Sequence, residues 1–237
     1  MHSVTEHSIP GGWSDREIAI GPHHFHLLTP TDPDALLDKL ESPEAAINPH
    51  LADPYWAKLW PAAPLLAAAI LRNPAPKGTR VLELGCGSGI VGIAALACGL
   101  DVTFSDYVPL AVELALENAA RNGFENATGL TLDWRAVADA DRERFPLIVA
   151  ADVTYDRANL DPLLNVLDRI LATDGQAWFG DAGRSPSVDF VARARDRGWS
   201  VSLSDEQDRV AVAPVLGHYR RIVLQRAPSA KSAALTP

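Results

Sequence analysis

The sequence predicts an α/β fold: a doubly wound, mostly parallel sheet with a small N-terminal extension. Three observations carry that prediction. From residue 80 onward, short apolar runs of strand length alternate with longer runs of helical period, the pattern of parallel strands joined by crossover helices. The first of those strands runs straight into Gly85-Cys86-Gly87-Ser88-Gly89, where glycines permit positive φ and let a ligand approach the main chain. The acids and glycines that punctuate the pattern fall at the C-terminal ends of the predicted strands, the edge where such sheets hold their binding crevice.

The elements follow in order. Residues 1–50 read as the extension, loose over 1–15. Rough alternation over 16–29 (Ile18, Ile20, Phe25, Leu27) predicts a hairpin turned at Gly21-Pro22. A short helix over 32–40 takes Thr31 or Asp32 as its N-cap, and Pro43 and Pro49 then break the chain into a connector. His23, His24 and His26 cluster here, but without Cys, Asp or Glu to complete a site they read as strand decoration, and no metal is expected. The aromatic stretch Asp53-Pro-Tyr-Trp-Ala-Lys-Leu-Trp-Pro61 precedes an apolar helix over 62–72.

The principal domain, 51–226, continues with strand 81–84, helix 90–97 and strand 101–105, which ends at Asp106. Helix 110–122 closes on Gly123, an expected C′ glycine. Strand 128–132 finishes in Asp133-Trp134, and 139–144 is a charged connector. A buried strand over 145–151 ends in Asp152-Val-Thr-Tyr155. Helix 159–171 places Leu160, Leu163, Leu164, Leu167 and Leu171 on one side. Strand 176–180 leads to Asp181-Ala-Gly-Arg184, followed by helix 188–197 and strands at 199–203 and 217–224. Residues 227–237, rich in Ala, Ser and Pro, are predicted to be a disordered tail.

Composition narrows the partners. Apolar residues make up 47% and charged residues 22%, an ordinary globular profile. A formal charge of −9 disfavours an extended nucleic-acid footprint and favours steering toward a basic protein segment or a cationic small molecule. Cys86 and Cys98 flank one predicted helix, too far apart at about 1.5 Å per residue to bridge, so a reducing, cytoplasmic setting is expected. The acidic residues near the start predict no signal peptide, and the longest apolar run, near 65–71, is too short to span a bilayer.

The glycine turn fixes the class of ligand. Free N–H groups at the start of the following helix favour a polar ligand held mostly by main chain. Gly87, Gly89 and Gly92 satisfy the dinucleotide fingerprint G-x-G-x-x-G. The better fit is Glu83-Leu-Gly85-Cys-Gly87-Ser-Gly89, which resembles the first motif of class I S-adenosylmethionine methyltransferases. That resemblance implies S-adenosyl-L-methionine as cofactor, a glycine turn that accommodates its methionine part, and Glu83 as the typical acid two places before the first glycine. Asp106 lies about 20 positions beyond the turn, where a carboxylate can accept from both ribose hydroxyls; it could also cap the helix near residue 109. Asp133 can accept the adenine amino group and Trp134 can stack on the ring, or the two can be a loop acid and a packed indole. Trp56 is expected in the core, while Trp60 suits either core packing or a wall against adenine.

Residues 53–184 resemble the seven-β-strand protein methyltransferases, in the group that contains the protein-lysine methyltransferases. Four features carry this: Leu59-Trp60-Pro61, the Glu83 to Gly89 motif, Asp106, and Asp152-Val-Thr-Tyr155, which matches the D-x-x-Y motif of that group. Pro54-Tyr-Trp-Ala and Gly180-Asp-Ala-Gly-Arg184 look most like the branch that modifies lysines of the electron-transfer flavoprotein β subunit, with Ala182 standing where proline is expected. Nucleobase amino-methyltransferases carry Asn/Asp-Pro-Pro-Tyr at this strand end, and both prolines are missing here. The resemblance implies methyl transfer to a lysine amine of a protein substrate. Such an amine, with an unperturbed pKa of about 10.4, must be desolvated and lose its proton before attack. Asp152 is then the expected orienting or proton-accepting residue, facing the cofactor as well, and Tyr155 the positioner; capping of the next turn and simple packing are their plain alternatives. A small amine metabolite is the alternative acceptor. A nicotinamide-binding oxidoreductase is the alternative class, and it would need a Tyr/Lys or metal constellation that the sequence does not offer.

Overall fold

A computed structural model describes residues 4–38, 54–136 and 144–226. The predicted connector through Pro43 and Pro49, most of the charged connector at 139–144, and the tail at 227–237 lie outside the described residues.

The N-terminal alternation forms the hairpin it predicts. Strands β1 (Trp13–Ile20) and β2 (His23–Pro30) pair antiparallel, from Trp13 opposite Pro30 to Ile20 opposite His23. Gly21 makes the turn at φ +58°. His24 meets Glu17 at 2.7 Å and His23 stacks on Phe25, and among the described residues no group of His, Cys, Asp or Glu could hold a metal ion. Helix α1 (Pro33–Leu37) is capped by Asp32, whose carboxylate accepts from the Ala35 N–H.

Helix α2 (Ala62–Arg72) leads into the repeat of β3 (Arg80–Leu84), α3 (Ile90–Ala97), β4 (Asp101–Asp106), α4 (Pro109–Arg121) and β5 (Thr128–Thr131). The chain then crosses to the other side of β3 for β6 (Phe145–Ala151), α5 (Leu160–Ile170), β7 (Leu171–Asp181), α6 (Pro186–Asp196), β8 (Trp199–Ser204), β9 (Val210–Ala211) and β10 (Arg220–Arg226). The eight-stranded sheet runs β5-β4-β3-β6-β7-β10-β8-β9. Strands β5 to β7 are parallel, while β10 lies antiparallel between β7 and β8. The strand order reverses between β3 and β6, so a crevice opens at their C-terminal ends.

Pleating divides the sheet side chains between two cores. Leu82, Leu84, Ile148, Phe179 and Ile222 face α5 and α6, and Val81, Val102, Phe104 and Val149 face α2, α3 and α4. Ile20, Phe25 and Leu27 of the hairpin join the second core. No helix among the described residues is long and apolar enough to cross a membrane.

Several boundaries differ from the sequence reading: β1 opens at Trp13, inside the stretch expected to be loose, where Val4 is also buried, and the last strand runs Arg220–Arg226 in place of 217–224. Leu171 opens β7 instead of ending the preceding helix, because it pairs with Phe145 across a register shift in β6. Helix α6 begins at Pro186, which occupies the first helical position, where a missing N–H costs nothing. Strand β9 was not anticipated; its two residues are defined by their pairing with Leu203 and Ser204.

Candidate active site

The crevice is built on the glycine turn. Gly85, Gly87 and Gly89 have φ of +66°, +48° and +81°. A Cβ on Gly85 would lie 2.9 Å from Val153 Cγ1, and one on Gly87 would lie 3.0 Å from the Trp56 carbonyl oxygen. Glycine is therefore required at both by conformation and by space. Gly89 caps α3 behind the turn. The Gly87 N–H donates to Asp106 Oδ2 at 3.1 Å, and the Val108 N–H donates to Asp106 Oδ1 at 3.0 Å. Asp106 thus braces the turn and the approach to α4 at once, while the N-cap of α4 is Val108.

Glu83 is buried beneath the turn and accepts from the Gly92 N–H at 2.8 Å. Burial, reinforced by the charge of Asp106 and opposed by the Gly92 N–H, pushes its carboxyl up to about 8. At neutral pH this acid holds its proton.

On the cleft wall, Asp133 accepts from the Arg135 backbone N–H at 2.9 Å and from its guanidinium at 2.8 and 3.2 Å. Burial alone would raise the Asp133 carboxyl, but the Arg135 hydrogen bonds and charge hold it below the usual range. The Arg135 guanidinium lies 4.4 Å from the Tyr107 ring centroid. Trp134 is half-buried, with its ring 3.4 Å from the position a Gly85 Cβ would take. The acid expected to reach an adenine amino group is thus engaged by a neighbour two residues away.

Asp152 also lines the cleft, and among the described residues it and Asp208 alone, other than glycines, have positive φ. A value of +56° is uncommon for a non-glycine residue and costs backbone energy, held here by the Asp152 N–H bond to the Gly180 carbonyl at 2.8 Å. The buried carboxylate accepts from the Ala62 N–H, the first of α2, at 2.7 Å, and from the Arg184 guanidinium. Burial raises the Asp152 carboxyl and the charge of Asp181 adds to this; the Ala62 N–H and Arg184 pull it back.

Aromatic rings line the cleft together with this carboxylate. Tyr155 and Tyr55 lie 5.4 Å apart by centroid, and Tyr55 and Trp60 lie 6.2 Å apart. The Trp60 indole donates to the Tyr55 carbonyl at 2.8 Å, with Lys58 and Arg184 over its ring at 5.4 and 5.3 Å. Trp60 is thereby linked to Asp152 through Arg184 and to Tyr155 through Tyr55. Trp56 is 5% exposed and packs on Trp13, the core role expected of it.

One cleft of about 830 Å³, open solvent included, is lined by both Asp133 and Asp152. Trp60, Glu83, Gly85, Gly87, Asp106, Asp133, Trp134, Asp152 and Tyr155 line it; Gly89 does not. Tyr55, Lys58, Tyr107 and Arg135 also line it and were missed in the sequence. Tyr107 and Arg135 directly follow Asp106 and Trp134, so position at a strand end was a usable signal. Their pairing across two loops was not legible.

The family model described as lysine methyltransferase matches residues 39–187. The chain belongs to this family. It is 38% identical over 138 residues to the electron transfer flavoprotein β subunit lysine methyltransferase of Xenopus laevis, covering 56% of this chain and 54% of that protein. It is 27% identical over 171 residues to the EEF1A lysine methyltransferase 3 of Mus musculus, covering 70% of this chain and 73% of that protein. The chain spans about half the length of the Xenopus relative. A ribosomal protein L11 methylase from Lactobacillus delbrueckii subsp. bulgaricus superposes with a TM-score of 0.54 at 26% identity, over 68% of this chain and 76% of that one. A TehB-like S-adenosylmethionine-dependent methyltransferase from Corynebacterium glutamicum, at 22% identity, shares the fold with a TM-score of 0.57 over 84% of this chain and the whole of that one. The fold is the class I, Rossmann-like methyltransferase fold, and the family's cofactor is S-adenosyl-L-methionine. The residues present fit that group: a cradle with no room for a Cβ at Gly85 or Gly87, and a buried acid, Asp106, on the cleft wall.

Proposed function

We propose that this lysine methyltransferase-family protein transfers a methyl group from S-adenosyl-L-methionine to a lysine amine of a protein substrate. The observation that carries the reading is one cleft lined by the glycine cradle, the buried Asp152 carboxylate and the rings of Tyr55, Trp60 and Tyr155. The turn at Gly85 and Gly87, with Asp106, Asp133 and Trp134, would hold the cofactor, which when bound supplies an electrophilic sulfonium methyl. Asp152 attracts the acceptor ammonium and, with its carboxyl raised by burial, takes up its proton more readily than an exposed acid would. Tyr155, Tyr55 and Trp60 exclude water and favour a cation between aromatic faces. The amine must be aligned with the methyl for in-line displacement, so walls that limit its approach contribute as much as the proton acceptor does.

Similarity to the electron transfer flavoprotein β subunit lysine methyltransferase and to EEF1A lysine methyltransferase 3 supports a protein acceptor. The flavoprotein β subunit is the first substrate to test, since the Pro54-Tyr-Trp-Ala and Gly180-Asp-Ala-Gly-Arg184 segments resemble that branch. Purified protein with methyl-labelled cofactor should mark a lysine of that subunit or of another protein in a cell lysate, located by peptide mass spectrometry. Asp152→Asn should lower the rate roughly 100-fold or more with cofactor affinity intact. Label appearing only in small amines would overturn the protein-acceptor reading. Both cysteines are free, and we place the protein in the cytoplasm, to be checked by cell fractionation.

A further inference from the structure

The segment Gly180-Asp-Ala-Gly-Arg184 closes β7 and leads into α6. In the structure it is tied to Asp152-Val-Thr-Tyr155 by three contacts: the Asp152 N–H bond to the Gly180 carbonyl, the Thr154–Asp181 hydrogen bond and the Arg184–Asp152 ion pair. Asp181, buried, accepts from Thr154 Oγ1 at 2.7 Å and from the backbone N–H groups of Gly183 and Arg184 at 2.7 and 2.8 Å. These bonds fold 181–184 into a tight turn that only glycine fits at Gly183, where φ is +88° and a Cβ would lie 2.4 Å from the His218 nitrogen. The turn sends the Arg184 side chain over the Trp60 ring and onto Asp152 Oδ1, while the N-terminus of α2 holds Oδ2.

We propose that Arg184 is the positioning residue of the acceptor site, acting through Asp152, whose carboxylate it orients and charge-balances. What that carboxylate then does rests on the methyl-transfer reading; the contact itself does not. A buried carboxylate stripped of its cation is strongly disfavoured, and the planar guanidinium offers directed donors that an ammonium lacks. The other groups facing Asp152 do not replace it. Asp181 is an acid, Tyr219 at the base of β10 and Tyr155 carry no positive charge, and the Ala62 N–H is a dipole. Lys58, the nearby cation over Trp60, is paired with Asp34 at 2.8 Å. Without Arg184, burial and Asp181 act on Asp152 with less opposition, so the acid keeps its proton to higher pH.

The test uses the full chain with Arg184→Ala, Arg184→Gln and Arg184→Lys. The Asp152 carboxyl is titrated by carbon-13 NMR, its signal identified as the one lost in Asp152→Asn. The Asp152 midpoint should move to higher pH in Arg184→Ala and return part of the way in Arg184→Lys. In methyl transfer, kcat should fall about 10- to 100-fold, with KM for the cofactor unchanged and the acid limb of the rate profile moved to higher pH. Arg184→Gln carries the same test if the alanine variant fails to fold in a thermal melt. An unmoved Asp152 midpoint in a folded variant overturns the proposal. So does a lower acceptor KM at unchanged kcat, which would make Arg184 a mere occupant of the acceptor's seat. If the parent protein methylates no protein at all, the proposed function falls, while the NMR titration still decides what Arg184 does to Asp152.

Discussion

Gly92 lies inside α3, where alanine would ordinarily gain about 1 kcal/mol of helix propensity. Here a Cβ would sit 2.4 Å from Phe104 Cε1 and 2.6 Å from Glu83 Oε2, so packing outweighs propensity. Gly92→Ala should cost about 1–3 kcal/mol, read from the midpoint of denaturant unfolding; a stabilised variant would refute this. Asp106 illustrates another residue-scale coupling. Its carboxylate already accepts from Gly87 and Val108, so Asp106→Ala removes a brace of the turn as well as any contact to a ribose. Calorimetry should show S-adenosyl-L-methionine affinity weakened about 10-fold or more, the loss of roughly one charge-assisted hydrogen bond. Unchanged affinity would remove Asp106 from the binding site. The identity of these residues was readable from spacing; their partners were not, because Gly92 with Glu83 and Asp106 with Gly87 meet only after the chain doubles back.

At the scale of elements, the hairpin is fastened to α4 by two asparagines four residues apart. Asn118 accepts from the Leu28 N–H at 2.6 Å and donates to the Leu28 carbonyl at 3.0 Å; Asn122 does the same for His26 at 2.9 and 2.8 Å. One helix face thereby supplies the hydrogen bonds that a neighbouring strand would give β2. Asn118 also donates to the Ser88 carbonyl in the glycine turn at 3.0 Å, which couples the extension to the cleft. Asn118→Ala strands three buried main-chain groups and should destabilise the fold by about 2–4 kcal/mol. Hydrogen exchange at the Leu28 amide should rise while that of β6 changes no more than the global loss requires. Equal acceleration everywhere would mean that the hairpin does not open on its own. Alternation disclosed the hairpin itself. It could not disclose the docking, since an asparagine within a helix reads as an exposed polar residue until the facing element is known.

Across the whole molecule, the buried Glu83 makes stability depend on pH. Its carboxyl titrates near 4.5 when unfolded and about 8 when folded, so the native state holds a proton that the unfolded chain releases. That contribution is complete below 4.5 and is lost as pH rises through about 8. Glu83→Gln keeps the shape without the proton. Its melting temperature relative to the parent should climb between these limits and level out above them. Parallel curves would show that Glu83 is not protonated in the folded protein. The same scale accounts for the active site: reversal of strand order between β3 and β6 brings Gly85 and Asp152, far apart in sequence, to the two sides of one crevice.

The sequence by itself determined the class of fold, nearly every strand and helix, and the edge of the sheet where the chemistry gathers. It could do so because hydrophobic periodicity and glycine turns act over a few residues and are written in adjacent positions. Tertiary structure decided the rest: that Asp133 is engaged by Arg135, that Trp60 sits with Tyr55 and Arg184, that Leu171 belongs to a strand, and that Arg184 reaches Asp152. Each depends on groups brought together from separate loops or strands. Their hydrogen bonds and ion pairs depend on distance and burial, which exist only once the sheet has assembled.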